Sequence, residues 1–230
     1  MTAASNPALL QVAHLNFSYQ TAQGTRHVFT DWSADFQPGL TWLQGANGSG
    51  KSTLLKLIAG ALPPSSGQRR LAGELCAEAQ PLAYRREVFW CGPGPVPLDH
   101  LRPPEYFGFL QTIYPRFDAA ALPAHIAGLG LPPSLGSRLS ALSTGTQRKV
   151  WLVAALVAGT RLNLLDEPYN ALDAASLAYL RAQLARCAAE AQRGWIVTSH
   201  EPLGPAEATA AVLNLSAARP PASLRDADPT

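Results

Sequence analysis

Gly45-Ala46-Asn47-Gly48-Ser49-Gly50-Lys51-Ser52 decides the fold class of this 230-residue chain. The stretch fits G-x-x-x-x-G-K-[ST] without a mismatch. Before it, Leu40-Thr41-Trp42-Leu43-Gln44 reads as a short strand; after it, Leu54, Leu55 and Ile58 recur at helical spacing. A glycine-rich turn between strand and helix curls so that successive N–H groups point inward at phosphate oxygens, and the helix adds its positive end. Lys51 is then placed to neutralise β- and γ-phosphates, and the Ser52 hydroxyl to ligate Mg²⁺. Gly45, Asn47, Gly48, Ser49, Gly50, Lys51, Ser52 and Thr53 are the candidate triphosphate-holding residues.

Residues 9–43 read as three short strands separated by polar and Gly-rich turns, and residues 61–87 as further short strand and turn. From about Trp90 to Leu139, Pro and Gly become dense and the apolar segments read as short helices broken by prolines. Beyond lie a helix (146–158), a buried strand (162–165), an Ala-rich helix (174–192) and another strand (195–199). That alternation predicts an α/β core with a mostly parallel sheet. The tail, residues 217–230, is expected to be flexible.

The strand at 162–165 ends in Asp166-Glu167-Pro168. In nucleotide hydrolases an acid at such a strand end holds the Mg²⁺ shell, a role open to Asp166. Glu167, one residue on, is the natural general base for an attacking water. An Asp-Glu pair is common on surfaces, and it gains meaning here only beside the phosphate loop. Together the two motifs imply a nucleoside triphosphatase of unspecified kind.

Composition narrows the class. Hydrophobic residues are 47% and charged residues 15% of the chain, which suits a large core and opposes disorder. A net charge of +2, with the basic residues scattered, does not suggest a nucleic-acid groove. The pairs Arg69-Arg70 and Arg85-Arg86 read as solvated surface. Three dispersed cysteines fit neither a disulfide framework nor a zinc site. Neither a signal peptide nor a run of ~20 apolar residues able to span a bilayer is expected, so any membrane role is borrowed from a partner.

Between the two nucleotide motifs stands Leu142-Ser143-Thr144-Gly145-Thr146-Gln147-Arg148-Lys149, which resembles the LSGGQ signature of ATP-binding-cassette (ABC) ATPases. Other landmarks of that family follow in order. Tyr19 resembles the aromatic that stacks on adenine, residues 170–173 (Asn-Ala-Leu-Asp) the D-loop ending in Asp173, and His200 the switch histidine. Residue by residue, the alternatives are an ordinary strand-end Tyr, a routine Ser N-cap and a structural His. The resemblance covers about residues 9–216 and implies a P-loop ABC core with an antiparallel β subdomain and a helical insertion at about 89–145.

The resemblance further implies that ATP and Mg²⁺ are bound between two cassettes. Ser143 and Gly145 of one would reach the γ-phosphate held by the other, and Lys51, Glu167 and His200 would be catalytic. It implies a separate transmembrane permease docked on the helical insertion, with export suggested by the helical region, and a peripheral cytoplasmic location. Tyr106, Phe107, Phe109 and Tyr114 would line the docking groove or pack the core. Thr144 and Thr146 depart from the usual Gly and Gln, and Pro93 stands where the family places the Q-loop Gln. Proline has no side-chain amide and no N–H, so it cannot position water or ligate Mg²⁺. The rival expectations are a soluble ABC protein acting on ribosomes or DNA, and an ATP clamp with weak hydrolysis.

Overall fold

A computed structural model describes residues 8–94 and 98–215. The expected flexible tail lies outside the described residues. Two sheets organise the chain. The first is four-stranded and antiparallel: β1 (Leu10–Thr21), β2 (Gly24–Phe36), β4 (Ser66–Leu71) and β5 (Leu75–Cys76), in the order β2-β1-β4-β5. The second is five-stranded and parallel: β3 (Gly39–Gln44), β6 (Val88–Cys91), β7 (Leu162–Asp166), β8 (Gly194–Thr198) and β9 (Ala211–Asn214), in the order β6-β7-β8-β3-β9.

Central parallel strands are covered on both faces and therefore read as unbroken apolar runs. Every residue of β7 and β8 is buried. Alternate residues divide between two cores, as the two-residue period of a strand requires. Leu162, Leu164 and Ile196 pack with Leu54, Leu55 and Ile58 of α1 (Lys51–Ile58) and with the antiparallel sheet. Leu165, Trp195 and Val197 pack with α5 (Thr144–Val157), α6 (Ala174–Cys187) and Tyr106, Phe107 and Leu110 of α3 (Pro103–Ile113).

Several expectations are revised. Prolines open the short helices rather than breaking them. They occupy the first turns of α2 (Pro81–Arg86), α3 and α4 (Leu122–Gly128), where a missing N–H costs nothing. The helical region begins after Cys91, because Phe89, Trp90 and Cys91 pair with β7. α5 starts at Thr144, where Ser143 caps it by accepting from the Thr146 N–H at 3.2 Å. α6 ends at Cys187, beyond which the Ala189 and Glu190 N–H groups turn back to carbonyls three residues behind. β9 was not apparent in the sequence: three of its four residues are exposed and only pairing with β3 makes it a strand.

Arg69 is buried rather than solvated. It pairs with Glu78 at 2.8 Å and donates to the Leu57 carbonyl, while the Tyr84 hydroxyl donates to the Ile58 carbonyl at 2.8 Å. The Tyr84 hydroxyl thus satisfies a carbonyl left over at the end of α1, and Arg69 adds a second bond to the Leu57 carbonyl, which also accepts from the Gly60 N–H. Among the four aromatics of the helical region, Tyr106 and Phe107 are core, Tyr114 packs on Phe89, and Phe109 is exposed.

Candidate functional site

The phosphate loop leaves β3 at Gln44 and enters α1 at Lys51. Its tight path requires glycine at two points in particular. At Gly45 (φ +156°) a Cβ would stand 2.5 Å from the Leu215 carbonyl oxygen; at Gly50 (φ +101°) it would stand 2.8 Å from Val28. The Lys51 ammonium is buried and donates to the carbonyls of Gly45 at 2.7 Å and Ala46 at 3.2 Å. Thr53, in the first turn of α1, shares a 3.2 Å hydrogen bond with the Tyr19 hydroxyl. Phe17 and Tyr19 meet edge to face, with centroids 4.8 Å apart at 90°.

The acidic half of the site comes from the ends of β7 and β8. Asp166 is buried: its Oδ1 accepts from the Thr198 hydroxyl at 2.8 Å and its Oδ2 has no partner. The same hydroxyl accepts from the Glu167 N–H at 2.9 Å. Glu167 adopts φ +50°, a conformation that a side-chain-bearing residue holds only when its surroundings enforce it. The His200 N–H donates to Glu167 Oε2 at 3.3 Å, and His200 Nε2 lies 3.4 Å from Oε1 without hydrogen-bond alignment.

A cavity of about 300 Å³ gathers most of the predicted residues. Tyr19 stands on its wall with Asn47, Gly48 and Gly50, the helix-start residues Lys51, Ser52 and Thr53, and the pair Glu167 and His200. Asp166 and Ser49 are buried, each with a polar oxygen lacking a partner, and Gly45 shapes the loop base. Arg26 and Val28 of β2 also line the cavity, and sequence reading missed both. The hairpin register was the available signal, since it sets Arg26 opposite Tyr19. Three larger cavities, of about 530, 540 and 620 Å³, contain none of the predicted residues. Convergent chemistry rather than size therefore selects the site.

Ser143, Gly145 and Asp173 do not line this cavity. Ser143 and Thr146 share a 2.9 Å hydroxyl hydrogen bond at the start of α5. Asp173 caps α6, accepting from the Ser176 N–H at 2.8 Å, and takes a second hydrogen bond from the Lys149 ammonium. The Lys149 bond, followed by those from Ser176, holds its carboxyl well below the usual carboxylate range. Pro93 is exposed, and the carbonyl of the preceding Gly92 accepts from the buried guanidinium of Arg148.

Comparison with known proteins agrees with this geometry. Residues 29–170 match the family described as ABC transporter. The cytochrome c biogenesis ATP-binding export protein CcmA of Pseudomonas fluorescens is 32% identical over 188 residues, covering 81% of each chain. Its counterpart from Pseudomonas savastanoi pv. phaseolicola is 36% identical over 143 residues, 62% of this chain and 67% of that one. A solved structure described as the ATP binding subunit of an ABC transporter superposes with a TM-score of 0.78 at 27% identity, covering 90% of this chain and 85% of that one. A family match across more than half the chain, joined to a strand–loop–helix phosphate cradle facing a Glu–His pair, places the chain in the ABC transporter family as one of its ATP-binding, ATP-hydrolysing subunits.

Proposed function

We propose that this chain binds ATP in the cavity between the phosphate loop and Glu167, hydrolyses it as part of a two-cassette assembly, and thereby drives export through a separate membrane subunit. The observation that carries the reading is the meeting of Lys51, Ser52, Glu167 and His200 on one cavity while Ser143 and Gly145 stand outside it. A site that lacks its signature residues within one chain is completed by those of a second copy or a related cassette.

In this reading the Tyr19 ring stacks on adenine, Thr53 and the loop amides hold the phosphates, and Lys51 leaves the Gly45 and Ala46 carbonyls to neutralise phosphate charge. Glu167 accepts a proton from water as its oxygen bonds to the γ-phosphorus and the bond to the β-γ bridging oxygen breaks, releasing ADP and phosphate. His200, beside that carboxylate, orients the γ-phosphate. The unpartnered Asp166 Oδ2 and the Ser52 hydroxyl fit Mg²⁺, an ion that takes few protein oxygens and completes its shell with phosphates and water. When bound, it offsets phosphate charge.

Residues 1–216 act as one ATPase unit, with the helical region between Cys91 and Ser143 carrying the permease contact. No helix among the described residues is long and apolar enough to cross a membrane, so attachment to the cytoplasmic membrane face runs through the permease. Export is the direction in the names of the relatives, and the cargo is chosen by the permease. The test is to tag the Glu167→Gln variant, which retains ATP, and identify what co-purifies from detergent-solubilised cells. A polytopic membrane protein in stoichiometric amount is expected. Ribosomes, DNA or the chain alone would overturn the transport reading.

A further inference from the structure

Arg26 is absorbed by none of the roles above. Its backbone is paired in register with Tyr19 across the β1–β2 hairpin, and its Nη2 lies 3.4 Å from the Gly48 carbonyl. The residue therefore runs along the cavity from the aromatic end to the tip of the phosphate loop. A guanidinium carries five donors, and this one spends a single donor on a neutral acceptor at the long limit of hydrogen bonding. No ion pair engages Arg26 among the described residues, and it is the one arginine on the wall of this cavity.

The two cations lining the cavity are differently held. Lys51 is buried on the loop's own carbonyls, while Arg26 is exposed beside the loop tip. A nucleotide whose base lies on Tyr19 and whose terminal phosphates lie in the loop must pass its α- and β-phosphates between these ends. We infer that Arg26 is a further nucleotide-binding residue, its guanidinium taking the α- and β-phosphates of the nucleotide. The fork geometry of arginine suits paired phosphate oxygens, and the weak Gly48 contact is readily exchanged for a charge-assisted one. This inference rests on the reading of the cavity as the nucleotide site.

The test measures binding of a fluorescent ADP, and its displacement by inorganic tripolyphosphate, for the full chain and for Arg26→Ala and Arg26→Lys. ADP avoids turnover, and an exposed strand residue leaves the unliganded thermal midpoint unchanged. Arg26→Ala is expected to weaken ADP and tripolyphosphate alike by about tenfold, with Arg26→Lys recovering part of the loss as a point charge. ADP binding equal to that of the unaltered chain overturns the inference and leaves the nucleotide site standing. Weaker ADP binding with unchanged tripolyphosphate overturns it too, because the contact would then lie on the base or ribose. An unaltered chain that binds neither probe overturns the nucleotide site itself, and the role of Arg26 with it.

Discussion

Gly145 of the signature stretch lies so close to Ala171 that a Cβ on it would stand 2.4 Å from the Ala171 carbonyl oxygen. Ala171 itself holds φ +63°, so the loop that leads into Asp173 is already tightly set. One turn further along α5, Lys149 binds Asp173. Residues 142–149 and 170–173 are thus a single packed unit within one chain, and Gly145 is needed for that packing as well as for its proposed contact with a partner's nucleotide.

Gly145→Ala must therefore displace the 171–173 loop. Stability is expected to fall by about 1–3 kcal/mol, the usual cost of overpacking. Steady-state ATPase turnover should be nearly lost while ADP still binds, because the residue does not line its own chain's cavity. Denaturant unfolding, phosphate release and ADP titration measured together check all three.

Thr198 is the hinge pin of the acidic half-site, joining Asp166 and Glu167 through one hydroxyl at 2.8 and 2.9 Å. Thr198→Val keeps the shape and orphans the Asp166 Oδ1, at a cost of about 1–3 kcal/mol. Turnover should fall further than KM rises, since the carboxylates lose alignment rather than the phosphates their cradle. Thr198→Ser should restore most of the turnover. Equal kinetics for the Val and unaltered chains would show that the hydroxyl aligns nothing.

Glu167→Gln removes the carboxylate proposed as proton acceptor and keeps the side-chain size. Single-turnover hydrolysis should slow by about 10²-fold or more, the scale of general-base loss. ADP affinity should change little, because the carboxylate stands opposite the phosphate loop rather than within it. A variant with unimpaired phosphate release would remove Glu167 from the chemistry.

His125 of α4 is half-buried and hydrogen-bonded to the Tyr179 hydroxyl of α6 at 2.9 Å, and burial pushes its imidazole below the usual 6.5. The unfolded chain therefore binds the proton more readily than the folded one. Stability from this group is present above about pH 6.5 and is lost as pH falls toward the depressed folded value. Urea unfolding followed from about pH 7.5 to 5.5 should show that loss, and His125→Gln should flatten it. An unchanged slope in the variant would assign the pH dependence elsewhere.

The phosphate loop, the Asp166-Glu167 pair, the Ser143 cap (though not the first residue of α5) and the α/β class were legible in the sequence because each is local. Glycines set the backbone path of residues 45–50 whatever surrounds them, Ser143 caps the helix that directly follows it, and unbroken apolar runs mark strands buried on both faces. Proline density misled because proline breaks a helix interior but suits a first turn, and only the observed helix starts distinguish the two. Tertiary structure alone decided the rest. Thr198 reaches Asp166 through the β7–β8 register, Arg26 enters the cavity through the hairpin register, Arg69 is buried by its bond to α1, and the Ala171 carbonyl meets Gly145. Asp166 and Thr198, like Gly145 and Ala171, lie far apart along the chain. A shift of one residue in register would turn Thr198, Arg26 or Arg69 to the opposite face of its sheet, so which neighbour each meets is settled by strand pairing and packing rather than by residue type.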